Sequence, residues 1–113
     1  MATQVVHEVA DGVCRVGAMN GPGDYVLWQA VEGATRNIHF EFNDRANGGY
    51  DIVLRCEIDF DAVKITLADH RVIEFRIKGL DNPVWVDWVN GLESIYPSGS
   101  GVLSVCGDDG PPK

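Results

Sequence analysis

Four consecutive segments in the middle of the chain alternate apolar and polar residues with a period of 2. They begin at Ile38, Tyr50, Val63 and Ile73, and each keeps one apolar and one mostly polar face. This pattern is typical of β-strands in an antiparallel sheet with one buried face. Turn-forming residues separate the segments, at positions 47–49 (NGG), 59–61 (DFD) and 69–70 (DH). The four segments therefore predict a β-meander.

Residues 82–96 (NPVWVDWVNGLESIY) carry the clearest helical pattern in the chain. Their apolar side chains recur at the i, i+3, i+4 and i+7 spacing of one helical face, at Trp85, Trp88, Val89, Leu92, Ile95 and Tyr96. We expect Asn82 to cap the helix, Pro83 to occupy its first position and Pro97 to stop it. Because a sheet with one apolar face needs a cover, we expect the helix to lie over the middle strands. The expected contact residues are Ile52, Leu54, Ile65 and Phe75.

The flanking segments predict shorter strands. Residues 4–9 and 13–18 indicate a hairpin around Ala10-Asp11-Gly12, and residues 102–105 indicate a short edge strand. Residues 25–31 (YVLWQAV) fit a strand covered on both sides or a short helix, and their β-branched and aromatic content favours the strand. We expect a single α+β domain over residues 1–107, an antiparallel meander of about five to seven strands with one C-terminal helix packed on one face. We expect residues 108–113 to be a disordered tail of acidic residues and prolines.

The net charge of the chain limits the classes of molecule that we expect it to bind. The 113 residues include 17 acidic and 9 basic residues, which gives a net charge of -8. Nucleic-acid binding needs a clustered Lys/Arg surface, so we expect no nucleic-acid partner. The two signs nearly balance over residues 36–80, and the acidic excess lies in the two flanks and on the helix. Such an excess favours a basic partner protein, or it serves solubility alone.

The cysteines and the apolar runs bear on the compartment. Cys14, Cys56 and Cys106 are an odd set without CxxC spacing, which is a poor pattern for disulfides or zinc. We expect reduced thiols, with Cys56 packed in the core. The N-terminal residues lack the charged and apolar regions of a signal peptide, and no apolar run reaches the length of a membrane span. We therefore expect a cytoplasmic protein.

No residue pattern indicates a catalytic or metal site. The histidines His7, His39 and His70 lie at no ligand spacing from one another or from a cysteine. His39 and Glu41 share the polar face of one strand, and they fit a pH-sensitive pair, half of a metal site or two exposed residues. The outer-face carboxylates would lie beside basic residues, so we expect cross-strand ion pairs and no enzyme activity, cofactor or metal. The acidic set is Glu41, Asp51, Glu57 and Asp59, and the basic set is Arg55, Lys64, Arg76 and Lys78.

The outward side of the helix is a candidate docking surface. Asp87, Asn90 and Glu93 lie there, with Asp81 at the start of the helix, and the sequence around them supplies no Lys or Arg. A solvated helix face is the other interpretation of the same residues. Charge on this face would speed association with a basic partner. The predicted partner-binding residues, on the helix and on the polar sides of the strands, are Asp81, Asp87, Asn90, Glu93, His39, Glu41, Asn43, Asp44, Glu57 and Asp59.

Four motifs in the second half of the chain carry a family resemblance. They are residues 38–45 (IHFEFNDR), 47–51 (NGGYD), 54–58 (LRCEI) and 88–96 (WVNGLESIY), while the first 37 residues lie outside the likeness. The chain resembles small cytosolic immunity proteins of bacterial polymorphic-toxin, contact-dependent or type VI secretion systems. The resemblance implies a strand meander closed by a C-terminal helix. It also implies a protein that binds a cognate toxin and blocks its active site without chemistry of its own.

The sequence leaves three functions open. The first is an immunity protein, monomeric or a weak homodimer, whose acidity suits a basic toxin such as a nuclease, since a nuclease groove must be positive. The second is a self-associating scaffold or small-ligand-binding domain that buries Val53 and the region of His39 and Glu41, at the open face of the sheet or at an edge strand. The third is a small enzyme that uses the outer-face carboxylates.

Overall fold

The first five strands form an antiparallel sheet in which each strand pairs with its neighbour in the chain. The computed structural model describes residues 3–34, 36–59, 61–97 and 100–105. The strands are β1 (Gln4–Ala10), β2 (Val13–Gly21), β3 (Asp24–Val31), β4 (His39–Phe42) and β5 (Asp44–Tyr50). The turn between β1 and β2 uses Asp11 and Gly12, both with positive φ, as a two-residue hairpin loop requires. The predicted N-terminal hairpin is confirmed, and residues 25–31 form a strand and not a helix.

Four later strands form a second sheet: β6 (Val53–Ile58), β7 (Ala62–Leu67), β8 (Val72–Arg76) and β9 (Leu103–Val105). β6 lies between β7, which runs antiparallel to it, and β9, which runs parallel to it. The turn before β7 is held by Asp59, whose side chain accepts hydrogen bonds from the amides of Asp61 and Ala62. The turn before β8 is held by Asp69, which accepts a hydrogen bond from the amide of Arg71. Both predicted turns and the predicted C-terminal edge strand are confirmed.

Residues 47–49 (NGG) lie inside β5, so the predicted turn at this site is wrong. The chain reverses at Asn43 instead, which has a φ of 59° and whose side chain accepts a hydrogen bond from the amide of Tyr25. The glycines serve a close approach between strands. A Cβ atom at Gly48 would lie 2.8 Å from Cβ of Glu41 and 2.9 Å from the carbonyl oxygen of Phe40. A glycine is therefore required for β5 to reach β4 at this point.

The alternation predicted for residues 50–58 breaks at a β-bulge. The pairing of β6 with β7 shifts between Val53 and Arg55, so Leu54 drops out of the register. Leu54 is therefore 49% exposed and Val53 is buried, the reverse of the prediction. Tyr50, which we expected to face inward, is 67% exposed. Val53 consequently belongs to the core and is not available to a partner surface.

Within the described ranges the chain forms one helix, α1 (Asn82–Ile95). Its N-cap is Asp81, whose side chain accepts a hydrogen bond from the amide of Val84 at 3.1 Å. The prediction that Asn82 caps the helix is wrong by one residue, because Asp and Asn offer the same side-chain oxygen and adjacent candidates look alike in the sequence. Pro83 lies in the first turn but at its second position, one residue later than predicted, because the cap is Asp81. The helix ends at Ile95, with Tyr96 as its C-cap before Pro97, so the predicted stop is confirmed.

The helix packs mainly on the first sheet, and not mainly on the middle strands as predicted. The strands nearest to the helix are β1, β2, β3 and β9. The prediction failed because strand periodicity indicates that a strand has an apolar face but not which element covers that face. The ring of Trp88 lies against that of Trp28 in β3, with centroids 6.0 Å apart. Gly91 marks a close approach, since a Cβ atom there would lie 3.0 Å from a methyl group of Val16 in β2. The predicted stripe is confirmed by the buried residues Trp85, Trp88, Leu92, Ile95 and Tyr96.

Both sheets and the helix enclose one apolar core. Its largest fully buried side chains come from every layer and include Trp28, Phe40, Ile58, Ile65, Trp88 and Leu92. Hydrogen bonds join the two sheets: the amide of Thr3, just before β1, donates to the carbonyl of Lys78, and the side chain of Asn20 in β2 donates to the carbonyl of Arg76, both at 2.8 Å. The predicted α+β class is confirmed, with nine strands among the described residues. The same part of the chain contains no helix long and apolar enough to cross a membrane.

Candidate functional site

The predicted partner-binding residues lie on three separate surfaces. One group belongs to the helix, the second to the outer face of the first sheet and its last turn, and the third to the second sheet. In that order they are Asp81, Asp87, Asn90 and Glu93; His39, Glu41, Asn43 and Asp44; and Glu57 and Asp59. The helix covers the inner face of the first sheet, so the helix residues and the pair His39 and Glu41 are on opposite sides of that sheet. The structure does not bring the set together as one site.

The acidic helix face has a basic neighbour. Oδ1 of Asp87 lies 2.8 Å from Nδ1 of His7 in β1, a contact that the sequence analysis did not anticipate. The side chain of Asp81 is committed to the N-cap. Asn90 and Glu93 are exposed, and the described residues from 81 onward contain no Lys or Arg. An exposed pair such as Asp87 with His7 stabilises a fold little, so the 58% exposed carboxylate of Asp87 can still meet a partner.

Glu41 is buried, although the strand alternation predicts an exposed outer-face carboxylate. Only 8% of the residue is exposed. Its carboxylate accepts a hydrogen bond from the hydroxyl of Tyr25, and it lies 2.9 Å from Nε2 of His39. Gly48 contributes to the burial, because β5 comes close to Glu41 where Gly48 has no side chain. The predicted pairing of His39 with Glu41 is present, within a chain of three hydrogen-bonded side chains.

Tyr25 is the member of this chain that sequence patterns missed. It lies 16 residues before Glu41, and the pairing of β3 with β4 brings the two side chains together. The sequence does place an aromatic hydroxyl on one strand and a carboxylate on the next. Their contact can be inferred only when the register of the two strands is known. Nδ1 of His39 is buried and makes no hydrogen bond within the described part of the chain, so the tautomer with its proton on Nε2, facing the carboxylate, fits best.

A groove crosses the outer face of the first sheet and reaches Glu41. We call it the outer-sheet groove. It has a volume of about 260 Å³, and the side chains and glycine that shape it are Val6, Gly17, Met19, Tyr25, Leu27 and Glu41. The strand register places Val6, Gly17, Leu27 and Glu41 in one row across β1 to β4. Gly17 is the low point of this row, because it has no side chain and Leu27 leans toward it. The groove is thus mostly apolar, with a carboxylate at one end.

The acidic residues of the second sheet lie among basic ones. Nε of Arg55 is 3.9 Å from Glu57, and Nε of Arg76 is 3.9 Å from Glu74. In the described part of this sheet the ion pairs join residues two positions apart on one strand, so the prediction of cross-strand pairs is wrong. Lys64 lies in register between Glu57 and Glu74. This face therefore carries charges of both signs and gives no acidic patch.

The two described cysteines are packed thiols. Cys56 is fully buried, and burial raises its pKa to about 12, with the nearby charge of Glu57 adding to the effect. Burial, and to a smaller extent Glu32, also raises the pKa of Cys14. Cys56 therefore stays protonated near neutral pH and is a poor nucleophile, as predicted. Cys106 and the predicted tail lie outside the described residues. In the described part of the chain, no three potential metal ligands among His, Cys, Asp and Glu lie close enough to hold one ion.

Comparisons with known proteins add no relative to this picture. No protein-family model, no curated protein and no solved structure matches the chain.

Proposed function

We propose that the protein is a cytoplasmic immunity protein that binds a cognate secreted toxin and neutralises it by covering the toxin's active site. The observation that supports this proposal is the distribution of exposed charge. Outside residues 36–80, every described carboxylate is exposed: Glu8, Asp11, Asp24, Glu32, Asp81, Asp87 and Glu93. Arg15 is the one Lys or Arg in the same described ranges, and its guanidinium is bonded to Glu8 and Gln29.

An excess of exposed carboxylates of this kind favours a basic protein partner. Opposite charges steer two proteins together and raise the association rate constant. A toxin that cleaves nucleic acid must present a positive groove to the phosphates, so a nuclease is the toxin class that best fits the charge. The resemblance of residues 38–45 and 88–96 to immunity proteins supports the same proposal.

Co-expression with the product of the adjacent reading frame tests the proposed function. We expect cells to stop growing when that product is expressed alone and to grow when this protein is present as well. We also expect the two proteins to elute as one complex in size-exclusion chromatography. If the protein neither binds nor protects against any neighbouring gene product, the proposal is wrong.

Association kinetics test the part that the helix plays in this function. Reversing two charges, by Asp87→Lys together with Glu93→Lys, should lower the association rate constant about tenfold at low salt and change dissociation little. Glu74→Lys reverses a charge on the second sheet and is the control. An unchanged association rate at low salt would exclude the helix as the docking surface.

Self-association is a second candidate, because the open face of the first sheet exposes apolar side chains. Val6 is 36% exposed and Met19 is 39% exposed. A dimer that covers this face would show about twice the 12.3 kDa mass of one chain in light scattering. A single-chain mass at every concentration would exclude this candidate.

A further inference from the structure

β1 has one edge to which no described strand is paired. It is the first strand of the first sheet, and within the described ranges it pairs with β2 alone. The two-residue turn after Ala10 makes Ala10 and Val13 a hydrogen-bonded pair, and from there the bonding to β2 alternates along the strand. The residues whose backbone amides and carbonyls point away from β2, to the open edge, are therefore Val5, His7 and Val9.

The second sheet meets this edge at Thr3, two residues before Val5. The amide of Thr3 donates to the carbonyl of Lys78 at 2.8 Å, and the amide of Lys78 donates to the hydroxyl of Thr3 at 2.8 Å. Thr3 thus faces the same edge as the three open residues, as the alternation requires. In the described part of the chain, no backbone hydrogen bond reaches the edge from Val5 to Val9, a length of about 13 Å. The open edge is therefore as long as a short strand, and Lys78 closes one end of it.

β1 lacks the features that usually keep an edge strand from pairing with another chain. Lysines, prolines and bulges are the common ones. The strand reads QVVHEVA, and its register with β2 is unbroken from Gln4 to Ala10. Its one carboxylate, on Glu8, is bonded to Arg15 of β2 at 3.1 Å. The edge can therefore accept a further strand.

The sequence of β1 is complementary to itself. When a second copy of β1 runs antiparallel along the edge with His7 opposite His7, the open backbone groups of Val5 meet those of Val9 in the second copy. All three open residues then form hydrogen-bonded pairs in both copies. Val6 lies opposite Glu8, so the two carboxylates are not directly opposite each other. One register therefore satisfies both the backbone and the side chains.

The charges at the ends of the edge fit the same register. β1 ends at Ala10, so Asp11 of the second copy comes beside Lys78, which occupies the edge at Thr3. Both side chains are exposed, and neither forms an ion pair with another described residue. Two copies of a chain with a net charge of -8 repel each other in most orientations, whereas this one places an acid beside a base at both ends.

We propose that two copies of the chain pair antiparallel along β1, centred on His7, and form a symmetric dimer. The first sheets of the two copies then make one sheet of ten strands, five from each copy. Because the contact is short, we expect a weak dimer with a Kd on the order of 10–100 µM. This inference goes beyond the proposed function and does not depend on a toxin.

Light scattering and amide hydrogen exchange test the pairing on the unaltered protein. From about 10 µM to about 1 mM, the mass should rise from 12.3 kDa toward twice that value. Over the same range, exchange at the amides of Val5, His7 and Val9 should slow about fivefold, because these amides become hydrogen-bonded. The amides of Val6 and Glu8 already bond to β2, so their exchange should change less.

Charge reversal tests the register. Asp11→Lys should raise the Kd of the dimer about tenfold at low salt, because repulsion replaces attraction at both ends. Asp11→Lys combined with Lys78→Asp restores opposite signs and should return the Kd to about the wild-type value. Asp24→Lys makes the same change in net charge two strands from the open edge, and it should not weaken the dimer.

A single-chain mass up to about 1 mM would overturn the inference. A dimer in which the amides of Val5, His7 and Val9 exchange as fast as in the dilute protein would also overturn it, since the contact would then lie on another surface. A double variant no tighter than Asp11→Lys would refute the register. A dispersed amide spectrum shows that each variant is folded, and the unaltered protein decides the proposal even if a variant is not. A β1 dimer in a protein that protects against no toxin would refute the proposed function alone.

Discussion

Replacing Gly91 with alanine should destabilise the fold, although alanine is the better helix former. Gly91 is a buried position of α1 that faces β2. Its Cβ atom would lie 3.0 and 3.1 Å from the two methyl groups of Val16, and 3.2 Å from Cγ of His7. Ordinary carbon contacts lie at about 3.5–4.0 Å, so the helix or Val16 must move by a few tenths of an ångström.

Two effects of opposite sign decide the result. Alanine gains about 1 kcal/mol over glycine in helix propensity. Overpacking a core costs about 1–3 kcal/mol, and Val16 yields poorly because it is fully buried, β-branched and in a strand that is paired on both edges. We expect a net loss of about 1 kcal/mol in the free energy of unfolding. For a domain of 113 residues, this lowers the Tm by about 4 °C.

Urea unfolding followed by tryptophan fluorescence measures the loss, because all three tryptophans, Trp28, Trp85 and Trp88, are buried. A double-mutant cycle separates its causes. Val16→Ala alone should cost about 2 kcal/mol and open space beside Gly91. In the Val16→Ala background, Gly91→Ala should raise the free energy of unfolding by up to about 1 kcal/mol. Compared with the loss of about 1 kcal/mol in the wild type, this is a coupling energy of about 2 kcal/mol between the two positions. Asn90→Ala, at the adjacent exposed position, should stabilise by about 0.5 kcal/mol in both backgrounds.

A Gly91→Ala variant that is more stable than the wild type would refute the close approach of helix and sheet, since an exposed helical glycine behaves in that way. Equal effects in the two backgrounds would refute the contact with Val16 as the cause.

Three further perturbations test the cap, the core and the buried thiol. Asp81→Ala should cost about 1 kcal/mol because the helix loses its N-cap, whereas Asn82→Ala should change urea stability by less than about 0.5 kcal/mol; the reverse order would restore Asn82 as the cap. Trp88→Ala should cost about 3–5 kcal/mol because it leaves a cavity, and an unchanged Tm would contradict its burial. Stability should fall as the pH rises above 9, because burial raises the pKa of Cys56 from 9.0 to about 12 and raises that of Tyr96 as well, so the unfolded state releases these protons first. When the pH is raised from 7 to about 10.5, the free energy of unfolding should fall by up to about 2 kcal/mol less in Cys56→Ala than in the wild type. Equal losses in the two proteins would contradict the assignment of this pH dependence to Cys56.

The strands and the helix were predictable where a hydrophobic period is decided within one segment. Ile65 and Phe75 alternate with polar neighbours and are buried, and the stripe of α1 faces the core. Leu54 was not predictable, because a bulge depends on the pairing of β6 with β7 and leaves no mark on one strand. The layer beneath the helix was not predictable either. Trp88 indicates that a large apolar surface must exist, but not that Trp28 supplies part of it.

Only part of the candidate site was predictable, for a related reason. His39 and Glu41 lie two positions apart on one strand, so their pairing follows from local sequence. Tyr25 joins them only through the register of β3 with β4. The burial of Glu41 depends on Gly48, a residue that resembles part of a turn in the sequence. Polar residue type indicates exposure on average and cannot report such a neighbour.

The distance along the chain between the helix and the strands that it covers has a consequence during synthesis. His7 and Asp87, which meet across this contact, are 80 positions apart. Ribosomes add about 5–20 residues per second, so roughly 3–13 s separate the completion of β3 from that of α1. In that interval the inner sides of β1 to β3, which include Val16 and Trp28, have no cover from the helix. The time of greatest exposure to mispairing and to chaperones therefore falls before the helix has been made.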